Sequence, residues 1–312
     1  MLCLSSAVAG AEEAPIELSG EESVFDFLNP AHDFWSEKVS DYAGRLDRFF
    51  GDERTFQEAN ESIVQFDLIQ LVDEGGDHRT TFSGRAKLVL PQTEKRLHLL
   101  VETDPEEVAS NEISEEGPVT AGDIRSADSY AAALRYQKDK EDIWHFSTDL
   151  GVHLSSGLDP YTRVRGSGAL MLGAWRFKLT ETLFWFRTIG PGETTRLDIE
   201  RPLAAALLFR SASSGTWLHD DSSFSVRQDL SLYQTVDDRR ALLYQISGVG
   251  TAQPEKRMEE YVVLLRYRHR LHHHWLYGEI SPQVHYPEET GYHPDLQLVL
   301  RLEIQFGDGL YR

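Results

Sequence analysis

Leu296-Gln297-Leu298-Val299-Leu300-Arg301-Leu302-Glu303-Ile304-Gln305-Phe306 is the stretch on which the fold turns. Leu296, Leu298, Leu300, Leu302, Ile304 and Phe306 share one parity; Gln297, Arg301, Glu303 and Gln305 share the other, and only Val299 breaks the polar series. Successive side chains of a strand point to opposite faces, so this is a period of two held from end to end. One wholly apolar face, backed by a face with charges of both signs, suits a wall between hydrocarbon and water. A closed antiparallel β-barrel that spans a membrane provides such a wall.

Composition allows this without compelling it. Hydrophobic residues at 40% and charged residues at 26% would also suit a soluble domain, but a barrel looks the same because its apolar residues occupy alternate positions. A helical membrane protein is excluded: the longest apolar run, Leu203 to Phe209, falls far short of the roughly 18 residues a spanning helix needs. The net charge of -20 argues against a nucleic-acid partner, since phosphates are held by surplus Lys and Arg. Cys3 is the single cysteine, so no disulfide forms within the chain.

Residues 1–11 resemble the end of a secretory signal, with small residues at Ala9 and Ala11 ahead of Glu12 and Glu13; the basic leader is missing, and the mature chain is expected to start near Glu12. Residues 12–60 are expected to form a periplasmic segment with an amphipathic helix near 33–50. There Trp35, Val39, Tyr42, Leu46 and Phe49 make one apolar stripe, at spacings of about four and three residues. Asn29-Pro30 precedes the stripe and Gly51 is placed to cap it. Such a stripe must be buried. It either packs at the barrel rim or inside the lumen as a plug, or docks a periplasmic partner or a second copy.

From residue 61 to 306 the chain alternates strands and turns. Trp175, Phe177, Leu179, Leu183 and Trp185 oppose Arg176, Lys178, Thr180 and Thr182, and the other segments read alike, with Glu181 a charge on the outward parity. About fourteen strands result, and one miscounted hairpin would make about twelve or sixteen. Turns are expected at Pro91–Thr93, Leu172-Gly173, Ile189–Glu193, Arg201-Pro202 and Asp237-Asp238. Longer joins are expected at 104–127, Ser155–Pro160, His219–Ser222 and Pro287–Pro294. The fold class is therefore all-β, a transmembrane up-and-down barrel over residues 61–306 with a short tail at 307–312.

The terminal strand, ending in Phe306 with Leu302 and Ile304 before it, resembles the C-terminal signal of Gram-negative outer-membrane barrel proteins. Trp144, Trp175, Trp185, Tyr244 and Trp275 near strand ends resemble their aromatic girdles. That resemblance implies an outer-membrane location with both termini periplasmic, contact with outer-membrane lipid, and delivery by the barrel-assembly machinery through the last strand. It does not choose among channels, transporters, lipid-modifying enzymes and anchors.

Chemistry is to be sought on the inward parity. Arg85, Lys87, Arg135, Arg163, Arg165, Arg176, Lys178, Arg196, Arg227, Arg266, Arg268 and Arg301 gather there, and cations in a low-dielectric tube favour anionic solutes. The expected function is a channel for small anions; the alternative is a non-conducting barrel that anchors an envelope complex through its N-terminal helix. A lipid-modifying enzyme is a weaker third reading, resting on His145, Ser147, Asp149 and His153 on one face of one strand. No catalytic residue, metal or cofactor is assigned, because His269 and His272–His274 sit in a turn without a joining carboxylate or thiolate.

Overall fold

A computed structural model describes residues 42–50, 53–58, 61–90, 96–103, 130–140, 144–154, 157–220, 222–272 and 275–307. The signal remnant, Trp35, Val39, the turn Pro91–Thr93, the acidic stretch 104–127, His273, His274 and the tail beyond 307 lie outside these residues. Two helices lead in, α1 over 42–50 and α2 over Glu53–Glu58. Strands follow as β1 (Ile63–Asp73), β2 (His78–Val89), β3 (Leu97–Thr103), β4 (Tyr130–Lys140) and β5 (Trp144–Leu154). Next come β6 (Leu158–Leu172), β7 (Trp175–Phe186), β8 (Gly190–Ala204), β9 (Leu207–Leu218) and β10 (Ser223–Asp237). The last are β11 (Arg240–Gln253), β12 (Arg257–His272), β13 (Leu276–Pro287) and β14 (Asp295–Gly307).

Each strand pairs antiparallel with its chain neighbours, and β1 pairs with β14 from Ile63↔Gly307 to Asp73↔Gln297. The sheet is thus a closed barrel of fourteen strands without an edge. Closure matters because an unpaired edge in hydrocarbon would leave a row of backbone groups without partners.

Burial is inverted relative to a water-soluble core. Phe82, Leu150 and Leu158 are 59%, 63% and 65% exposed, whereas Lys87, Arg135, Glu200, Arg210 and Arg268 are all 0% exposed. In β14 the odd positions Gln297, Val299, Glu303 and Gln305 are buried while Leu296, Leu302 and Phe306 are exposed. The alternation read from the sequence is therefore the division between lumen and outside. Trp144 folds over Gly168, where an added Cβ would come within 2.6 Å of its ring. Phe66, Phe82, Phe306 and Trp275 adjoin one another outside the seam where β1 meets β14.

Three joins differ from expectation. The glycine-proline stretch is not a turn: the chain reverses at 187–189 and β8 begins at Gly190, whose φ is +74°. The Asp159 carboxylate holds that reversal through the Thr188 N–H at 3.1 Å, and the Pro191 carbonyl still accepts from the His219 N–H at 3.0 Å. Arg201-Pro202 also lies within β8. Pro202 falls beyond Glu200, the last residue paired to β7, at a register shift toward β9, where its missing N–H breaks no ladder. Pro160, placed in a loop by sequence, sits in β6 opposite Val152.

Candidate functional site

The inward parity carries every lumenal cation expected from the sequence. Lys87, Arg135, Arg163, Lys178, Arg196, Arg227, Arg266 and Arg268 are buried; Arg85, Arg165, Arg176 and Arg301 are half-buried. Strand register then decides their partners. Arg135, Asp149 and Arg163 lie opposite one another on β4, β5 and β6, and Asp149 meets both guanidinium groups at 2.6 and 2.9 Å. Arg176 and Arg210 flank Glu200 in the same way, at 2.9 and 2.8 Å. Arg268 faces Glu279, which faces Arg301. Arg266 and Arg268 reach Glu279 at 3.2 and 3.4 Å, and Arg268 also reaches Glu303 at 2.6 Å. Arg196–Asp198 and Arg227–Asp229 pair along single strands at 3.0 and 2.8 Å. Paired guanidinium and carboxylate groups of this kind tolerate removal from water because each charge keeps a charge-assisted hydrogen bond.

Inside this charged wall lie the two helices. α1 turns Ala43, Leu46 and Phe50 onto Leu208, Tyr233, Ala241, Leu243 and Leu264, inward residues of β9 to β12, with Tyr42 and Phe49 at the margin. Asp47 on the same helix pairs with Arg210, and the Tyr42 hydroxyl lies 3.1 Å from the Thr235 hydroxyl. The described half of the apolar stripe, Tyr42, Leu46 and Phe49, therefore packs against the barrel interior.

α2 is seated by its C-terminal end. The last carbonyls of a helix have no partner within it and carry the negative end of its dipole. Here Lys87 Nζ donates to the Phe56 and Gln57 carbonyls at 3.2 and 3.0 Å, Arg135 donates to the Gln57 carbonyl at 3.2 Å, and Gln137 donates to that of Glu58 at 3.1 Å. The Glu58 carboxylate pairs with Lys178 and accepts from Ser167 at 3.2 Å. The Phe56 ring lies under the Arg85 guanidinium at 4.7 Å and packs with Leu100, Tyr161, Phe184 and Phe186.

Width explains why so small an insert is enough. Fourteen strands, spaced about 4.8 Å and tilted about 40°, close at a backbone radius of roughly 14 Å. Arginine-length side chains fill about half that radius from every side, leaving a bore close to the roughly 10–12 Å diameter of one helix. The barrel interior is thus lined by paired cations and acids, with α1 and α2 seated against it.

Two constellations noted in the sequence are not assembled among the described residues. Asp149 is committed to Arg135 and Arg163, so His145, Ser147, Asp149 and His153 do not form a nucleophile–base–acid chain. Of the described histidines there, His272 lies against the Trp275 ring and His269 near Tyr267; His273 and His274 lie outside the described residues. Two participants went unread in the sequence. Arg210 shares the inward parity implied by Phe209 outside, a signal that was present. α2 is six residues long and carries no stripe, so no periodicity marks it.

No family model and no curated protein matches this chain. Solved structures do. The outer-membrane channel DcaP of Acinetobacter baumannii aligns over 79% of this chain and 96% of its own, with TM-score 0.46 and 7% identity. A bacterial polysaccharide outer-membrane secretin aligns over 79% and 99%, with TM-score 0.46 and 8% identity. OccK1 of Pseudomonas aeruginosa aligns over 79% and 98%, with TM-score 0.40 and 8% identity. Likeness at this level says nothing about solute or mechanism, and the closed barrel stands on its own strand register.

Proposed function

We propose that this chain is a channel of the bacterial outer membrane for small anionic solutes, with both termini on the periplasmic side, closed at rest by its own α1 and α2. The seating of the two helices carries the reading: Lys87, Arg135, Lys178 and Arg210 are lumenal cations whose partners include helix carbonyls, Glu58 and Asp47. Withdrawing the helices would take Glu58 from Lys178, Asp47 from Arg210 and the helix carbonyls from Lys87 and Arg135, while Arg135 keeps Asp149 and Arg210 keeps Glu200; the positive charge uncovered in this way concentrates anions in a low-dielectric tube. The same groups thus serve as latch when the path is closed and as selectivity lining when it is open. A second reading, a non-conducting barrel that organises an envelope complex through residues 12–60, draws support from the arginine–acid–arginine triplets, which fill much of the lumen without the helices.

Planar-bilayer conductance of the folded full-length protein, set beside a form lacking residues 1–60, tests this. The full-length form is expected to be quiet with rare openings and the shortened form to pass a steady, anion-favouring current. Silence from both, with folding verified by heat-modifiable gel migration, would overturn the channel and leave the anchor. A steady cation-favouring current from the shortened form would overturn the solute class.

A further inference from the structure

The exterior is not uniform. Near mid-strand on β7 to β10 the outward positions hold Glu181, Thr195, Ser211, Ser213 and Gln228, whereas across the barrel the outward positions are Leu68, Val263, Ile280 and Leu300. Cross-strand register puts Glu181 opposite Thr195 and Ser213 opposite Gln228. The Thr195 hydroxyl donates to Glu181 at 2.8 Å, Ser213 donates to Gln228, and the Gln228 amide donates to Ser211 at 3.0 Å. Among the described residues Glu181 accepts this one bond, although a carboxylate has room for about four. Beside it Gly166 leaves a dimple, since a Cβ there would meet nothing within 4 Å.

Hydrocarbon cannot serve such a band. A charge on the lipid face near the middle of a barrel is destabilising, and hydroxyl and amide groups there gain by finding a protein partner. We propose that the β7–β10 face is covered in the membrane by the same face of a second copy of this chain. The occupant follows from the chemistry of the band, which carries acceptor and donor together: the Glu181 carboxylate with lone pairs to spare, and the Ser211 hydroxyl, which accepts from Gln228 and keeps its own hydrogen to donate. Two such bands satisfy each other when apposed, as an isologous contact requires. The inference rests on the membrane placement proposed above and is independent of whether the lumen conducts.

The test uses full-length protein in outer-membrane vesicles, carrying Cys3→Ser and one new cysteine, Thr195→Cys on the polar face or Leu68→Cys on the apolar face. Oxidation is expected to give a disulfide-linked pair from Thr195→Cys and not from Leu68→Cys. Native mass in mild detergent is expected to be that of two chains. The double variant Glu181→Leu/Gln228→Leu keeps an exterior that lipid accepts, so it is expected to fold as shown by heat-modifiable migration. Its association should weaken about tenfold. Equal cross-linking from both faces, or a single-chain mass that the leucine variant leaves unchanged, would overturn the proposal. So would a single chain that binds lipopolysaccharide through Glu181 and Gln228, and recovery in the soluble fraction would instead overturn the membrane placement itself.

Discussion

Two arcs of the lumen use the same residue types for different ends. Along β12, β13, β14 and β1, Arg266 and Arg301 are matched by Glu279 and Asp67 on adjacent strands and Arg268 reaches Glu303 across β13, and the arc reaches the helices through the Tyr277 ring, 5.8 Å from that of Phe49. From β2 to β9, Lys87, Arg135, Lys178 and Arg210 share their hydrogen bonds between wall and helices. A cation that meets only acids of the wall is structural; an acid in register does not decide the matter by itself, since Arg135 and Arg210 have one too. A helix end or helix carboxylate within reach makes it a latch. The difference lies in who the partner is, and it sets what removal should cost.

Arg268→Ala gives the largest effect. It leaves Glu303 without its guanidinium partner, with the Gln305 amide still donating to it, and weakens the hold on Glu279 in a fully buried setting, at a cost of about 3–5 kcal/mol, visible as an earlier urea midpoint for the refolded barrel, with conductance still at the closed level. If the channel opened instead at unchanged stability, the two arcs would not be distinct. Leu46→Ala removes an anchor of α1 from its apolar seat, at about 2–4 kcal/mol. The barrel midpoint should hardly move while the open fraction rises roughly 30-fold or more; a shift in midpoint without openings would break the comparison from the other side. Asp47→Asn is the finest cut. Arg210 keeps Glu200 and Tyr233, so only the helix partner's charge is lost, about 1–2 kcal/mol, and openings should increase about tenfold with no change in unfolding.

Much of this was legible before any coordinates. The alternation in Leu296–Phe306 recurs in the strands before it and tells which side of each faces outward, because a slip of one residue would turn every side chain to the other face. The lumenal cations follow from the same parity. Their partners do not, since an arginine two positions along a strand from an acid looks the same whether it bonds across the sheet or to a helix. Glycine and proline misled at Gly190-Pro191-Gly192 and Pro202, which tolerate the strand because their carbonyls, or their position past the last neighbour, meet the ladder's needs. The stripe through Tyr42, Leu46 and Phe49 announced burial but not where. That depended on the inward patch of Leu208, Leu243 and Leu264, and in the sequence each of those leucines sits next to outward apolar residues.

Under the proposed channel reading, the closeness of α2 to the barrel wall limits the routes of opening. The Val89 N–H donates to the Ser62 hydroxyl at 3.0 Å, and β1 is paired from Ile63 onward. Between Ser62 and Glu58 the chain can therefore span at most roughly 14 Å when fully stretched. α2 is a hinged cork on a short leash: it can swing toward the mouth or unwind, but it cannot leave. A full-length channel caught open would carry less current than one cut free of its first sixty residues, and each closing would start from a cork already at the neck.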